Sequence, residues 1–85
     1  MNKFIYTIKD KDGIHARPAG LLVKEATGFE SEITIESKGN KADAKKIFSV
    51  MSLGVKVDDE ITVTVNGSDE AQAMAAMESF IKKNL

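Results

Sequence analysis

Residues 60–66, Glu-Ile-Thr-Val-Thr-Val-Asn, alternate apolar and polar side chains without a break, and the five inner ones are all β-branched. Successive side chains of a strand point to opposite faces, so Ile61, Val63 and Val65 need a cover while Thr62 and Thr64 can stay in water. Two other segments repeat the pattern. Lys3 to Lys9 sets Phe4, Tyr6 and Ile8 on one side, with Ile5 spoiling the polar side, and Ser31 to Ser37 points Ile33 and Ile35 inward. A fourth strand, Lys41 to Asp43, is short and weakly patterned. Lys38-Gly39-Asn40 joins it to the third as a tight hairpin.

Elsewhere the period changes. From Ala16, the residues Ala19, Leu22, Val23 and Ala26 recur at helical spacing, with Gly20, Lys24 and Thr27 opposite. Pro18 is tolerated in the first turn, whose amides need no intrahelical acceptor. Gly28 is expected to take a left-handed C-cap, with Phe29 folding back on the last turn. Gly20 either admits close approach of a partner or is a tolerated surface glycine.

A short helix is expected to begin near Ala44 or Lys45 and to end at Ser52-Leu53-Gly54. Ile47, Phe48 and Met51 cannot all share the inward stripe of Val50 and Leu53, so part of this apolar area faces water. Ser68 or Asp69 is read as the cap of the last helix, and Ala73, Met74, Met77, Phe80 and Ile81 as its apolar stripe. Lys82 and Lys83 suit its negative end. The methionines read as core filling. The order strand, helix, strand, strand, short helix, strand, helix predicts an α+β two-layer domain, one sheet with its helices on one face.

At 85 residues the chain makes one domain, 1–85, with room for one core and no deep cavity. It has no cysteine, which excludes disulfides and thiolate metal sites and favours a cytoplasmic location. A single histidine cannot build a multi-histidine metal site. Met1-Asn2-Lys3-Phe4 opens no signal-peptide core and no long apolar run follows, so a soluble protein is expected. Twelve basic and 13 acidic side chains leave a net charge of -1, which argues against a nucleic-acid binder. Lys38, Lys41, Lys45 and Lys46 make the middle locally basic, better suited to an acidic protein partner.

The chemistry concentrates at Gly13-Ile14-His15-Ala16-Arg17-Pro18-Ala19. His15 stands at a helix start, where unsatisfied amides and the positive end of the helix dipole can hold an anion. Imidazole is largely neutral near pH 7 and can act as a nucleophile. A ring nitrogen can therefore accept a phosphoryl group, with the amides near Ala16 and Arg17 and the Arg17 guanidinium receiving its oxygens. Asp10 and Asp12 are either turn formers or orienters of the ring. No Ser-His-Asp set is readable, which argues against a hydrolase.

This segment resembles the active site of the bacterial HPr phosphocarrier family of the phosphoenolpyruvate-dependent sugar phosphotransferase system. Ile47-Phe48-Ser49-Val50-Met51-Ser52-Leu53-Gly54 is similar to the family's second motif, and the likeness spans essentially the whole chain. The resemblance implies an open-faced sandwich, a four-stranded antiparallel sheet carrying three helices. It implies that His15 takes a phosphoryl group from phosphorylated Enzyme I on Nδ1, helped by Arg17, and passes it to IIA domains of sugar permeases. Such a protein is a monomeric carrier rather than a turnover enzyme, with no cofactor or metal of its own and no membrane insertion. Partners would dock over Gly20, Lys24, Ile47, Phe48 and Met51, with Lys24, Lys45 and Lys46 as steering charges or plain solvated surface. Many relatives carry a regulatory serine where this chain has Lys46, so phosphorylation there is expected to be absent. A regulatory module on the same fold that does not relay phosphate is the alternative.

Overall fold

The computed structural model describes residues 1–85. Its elements are β1 (Asn2–Thr7), α1 (Ala16–Thr27), β2 (Glu32–Ser37), β3 (Asn40–Asp43), α2 (Ile47–Met51), β4 (Glu60–Asn66) and α3 (Glu70–Asn84). The four strands form one antiparallel sheet in the order β1-β4-β2-β3. The three helices lie on one face, as expected from the segregated patterning.

Register explains why one face is apolar. Val63 pairs with Phe4 on one side and Ile35 on the other, and Val65 pairs with Ile33. These residues share the inner face, where Ile33, Ile35, Ile61, Val63 and Val65 are buried. Thr34, Thr62 and Thr64 line the outer face with Ile5, which stays 60% exposed. Against the inner face pack Ala19, Leu22 and Ala26 of α1, Val50 of α2, and Ala73, Met77 and Ile81 of α3. Burying such a branched side chain is worth about 1.5–3 kcal/mol, so this shared interior is the main reason the layers adhere. Lys38 and Gly39 both take positive φ in the β2–β3 turn, the backbone hand that a tight hairpin requires.

Three local expectations are corrected. Gly28 is not left-handed: at φ -74 it continues the helical backbone, and its N–H donates to the Glu25 carbonyl. A tightened last turn thus ends α1 without an αL residue. The short helix begins at Ile47, later than Ala44 or Lys45, because Asp43 organises a turn first. Its carboxylate accepts the Lys45 N–H at 2.9 Å and its carbonyl accepts the Lys46 N–H at 3.0 Å. Asp69 precedes α3 but makes no side-chain cap bond to it. Its carboxylate instead accepts the N–H groups of Glu30 and Ser31, both at 2.9 Å, and the Ser31 hydroxyl, tying the α1–β2 connection to α3.

Candidate functional site

The segment before His15 is held from two distant parts of the chain. The Ile8 and Asp58 amides donate to the Asp59 and Ile8 carbonyls respectively, and the Ile14 amide donates to the Val55 carbonyl. The Lys9 and Asp10 amides both donate to the terminal Leu85 O. Between these anchors Asp10 closes a turn, accepting the Asp12 N–H on Oδ1 at 2.8 Å and the Gly13 N–H on its carbonyl at 2.9 Å. Gly13 has φ 65, and a Cβ there would strike the Val55 carbonyl and lie 2.7 Å from the Lys56 Cα. Only glycine lets the loop lie this close to the 55–59 segment. The Ile14 side chain is buried, so the next residue is delivered outward on a pinned backbone.

His15 is the N-cap of α1, extended at φ -97 and ψ -176, and its side chain is exposed and makes no capping bond. The first intrahelical bond of α1 runs from the Ala19 N–H to the His15 carbonyl. The Ala16 and Arg17 amides donate to no acceptor in the chain, and Pro18 has no N–H to donate. Free amides at a helix start point along the axis with the positive end of the dipole, ready for an anion. Arg17 is exposed and joins none of the three ion pairs, leaving its guanidinium free. His15 and Arg17 line a shallow depression of about 350 Å³ with Asp10, Asp12, Pro18, Leu21 and Asn84. An open dish of this kind suits a group delivered by another protein better than a small substrate engulfed and turned over.

Asp10 and Asp12 lie close to the ring as well as in the turn. A carboxylate oxygen of each and a ring nitrogen of His15 all lie within 4.8 Å of one another. Exposed carboxylates often gather in this way without holding an ion. Leu21, 47% exposed beside Arg17, and Asn84 from the end of α3 escaped the sequence reading. Leu21 was findable, since it falls off the stripe of Ala19, Leu22 and Ala26. Asn84 carried no local signal.

On the neighbouring surface, Phe48 is 83% exposed, Met51 is partly exposed, and Ile47 is half-buried against the core. A Cβ on Gly20 would meet only the Ile47 Cδ1 at 3.8 Å, an ordinary contact. Nothing inside the chain requires glycine there, and its absence of a side chain keeps the surface between α1 and α2 low. Lys24 is exposed on the same helix. Lys45 departs from the expected rim of free charges. It is half-buried and its Nζ donates to the Phe29 carbonyl at 2.7 Å, bracing α2 against the end of α1. Lys46 is exposed at the N-cap of α2 and makes no side-chain capping bond. The nearby hydroxyls are engaged: Ser49 Oγ accepts the Asp43 N–H at 3.1 Å, and Ser52 Oγ donates to the Ser49 carbonyl at 2.7 Å.

Displaced titrations lie away from this site. Hydrogen bonds from the Ser31 hydroxyl and the Glu30 amide hold the Asp69 carboxyl below the usual range, and the Lys56 amide and the Lys38 ammonium do the same for Asp59. The first clamps the α1–β2 connection. The second steadies the loop on which Ile8 and Ile14 hang.

Residues 2–83 match the family described as "PTS HPr component phosphorylation site". The chain belongs to the HPr family. It is 44% identical over 85 residues to phosphocarrier protein HPr of Mycoplasma genitalium, covering 99% of this chain and 97% of that one. A solved mycoplasma structure described as the histidine-containing phosphocarrier protein superposes with a TM-score of 0.94 at 40% identity, over 96% of this chain and 93% of that one. HPr of Bacillus anthracis superposes at 0.87 and 36% identity, over 94% and 95% of the two chains. Family membership carries the general role of a phosphocarrier in the phosphotransferase system. No helix is long and apolar enough to cross a membrane.

Proposed function

We propose that His15 is the phosphoryl acceptor, charged by phosphorylated Enzyme I and discharged to the IIA domains of sugar permeases in the cytoplasm. The observation that carries this reading is an exposed imidazole beside two amides with no partner in the chain and an unpaired guanidinium. On loading, the lone pair of Nδ1, the family's acceptor atom, attacks phosphorus; on delivery the IIA acceptor attacks phosphorus and Nδ1 is the donor atom that leaves. The bond from phosphorus to its donor atom breaks with the electron pair left on the donor. Ala16 and Arg17 amides and the Arg17 fork receive the phosphoryl oxygens as charge builds on them, the kind of preset donor array that stabilises such transfers. Gly20, Lys24, Ile47, Phe48 and Met51 form the surface on which both partners sit, next to the ring rather than around it. Lys24 and Lys46 steer acidic partners, acting on encounter rate and salt dependence. With Lys46 in the regulatory position, no phosphorylation occurs there.

Intact mass and site mapping after incubation with Enzyme I, magnesium and phosphoenolpyruvate test the proposal, with His15→Ala as control. One acid-labile phosphoryl group at His15, absent from the control, is the expected result. An unmodified, folded protein beside an Enzyme I proven active on a known carrier would turn the reading to a regulatory module that does not relay phosphate.

A further inference from the structure

Asp10 and Asp12 hold two carboxylates within 4.8 Å of a His15 ring nitrogen, and neither takes part in an ion pair. Asp10 is spoken for as a turn former through the Asp12 N–H. The Asp12 carboxylate makes no hydrogen bond at all, so local structure gives no reason for its charge. We infer that these two carboxylates oppose loading of His15 and thereby set how readily the group is passed on. The inference rests on the carrier reading above and deepens it.

The argument is one of charge. Loading places a phosphoryl group carrying about -1.5 to -2 on the ring. Even when the ring takes up a proton, the loaded side chain is more negative than the empty one. The Ala16 and Arg17 amides and the guanidinium favour that change, while the two carboxylates oppose it. A fixed negative charge about 5 Å from the added one shifts the loading equilibrium roughly three- to tenfold in water at low salt. A carrier must release what it accepts. With the pull of the anion site and no opposing push, the group would be held more firmly and passed on more slowly.

The experiment equilibrates purified phospho-Enzyme I with the carrier in EDTA, without phosphoenolpyruvate, and measures the loading constant for wild type, Asp10→Asn and Asp12→Asn. Asparagine keeps an oxygen for the Asp12 N–H and removes only the charge, and unchanged thermal unfolding verifies the fold. Each variant is expected to load about three- to tenfold more completely and to deliver more slowly to IIA, with the gap closing at about 1 M salt, where the Debye length is about 3 Å. Asp12→Glu is expected to stay close to wild type, since it restores the charge. Equal or weaker loading of both folded asparagine variants, beside normal loading of wild type, overturns the inference and leaves the carrier reading standing. A salt-independent gain in loading also overturns it, because a repulsive charge must be screened. Failure of wild type itself to load removes the carrier reading, and this inference with it.

Discussion

Phe48 offers the sharpest separation of docking from folding. Its ring is 83% exposed at the second position of α2, while Val50, two residues on, is fully buried. Covering a phenyl ring in an interface is worth about 1.5–3 kcal/mol, so Phe48→Ala should weaken binding to Enzyme I about 10- to 150-fold. Phe48→Asp adds the cost of desolvating a carboxylate and falls at or beyond the upper end. The fold should hardly notice. A side chain this exposed changes stability by about 0.5 kcal/mol or less, and an aspartate in the first turn meets the positive end of the helix, which favours it by about 0.3–1 kcal/mol. Val50→Ala supplies the opposite signature, losing about 2 kcal/mol of stability from buried methyl groups and the space they leave. Calorimetric titration with Enzyme I and with a IIA domain, paired with urea unfolding of the same preparations, reads both axes. Affinity within about twofold of wild type would refute the docking argument. A stability loss above about 1 kcal/mol in Phe48→Ala would show instead that the ring belongs to the core.

Gly13→Ala should destabilise the protein by more than about 1 kcal/mol and disturb the His15 loop, because a Cβ at φ 65 meets the Val55–Lys56 backbone; amide chemical shifts of residues 13–17 that match wild type would contradict this. Arg17→Ala, which breaks no ion pair, should leave unfolding unchanged and slow phosphoryl transfer about 10- to 150-fold, the worth of a charge-assisted hydrogen bond; equal rates in rapid-quench assays would remove Arg17 from the mechanism. Asp69 titrates lower folded than unfolded because the Ser31 hydroxyl and the Glu30 amide bind its carboxylate, so its contribution is complete above the ordinary aspartate range and is lost as pH falls through the folded value. Asp69→Asn should therefore be less stable near neutrality and show a shallower acid decline in urea midpoints, and parallel pH curves would contradict the assignment.

What the residues reveal unaided is what depends on near neighbours. The alternation of 60–66 is a property of adjacent side chains, and β4 spans those residues. The exposure of Phe48 followed from a short helix having too few inward positions for its apolar residues. Two of the errors arose where a distant group outbid a local preference. Asp69 looks like a cap from its neighbours, yet its carboxylate serves Glu30 and Ser31 from across the fold. Lys45 looks like surface charge until the Phe29 carbonyl is brought to it. The same division runs through the site. The half that attracts an anion, the amides of Ala16 and Arg17 with the guanidinium, is contiguous in sequence and readable there. The half that repels one is readable only as turn formers or orienters of the ring; its distance from the ring is set by a loop bonded to Leu85 O and the Val55 carbonyl. A perturbation at either anchor, far from His15 in the chain, should therefore alter the balance of the site while every residue that touches the phosphoryl group stays the same.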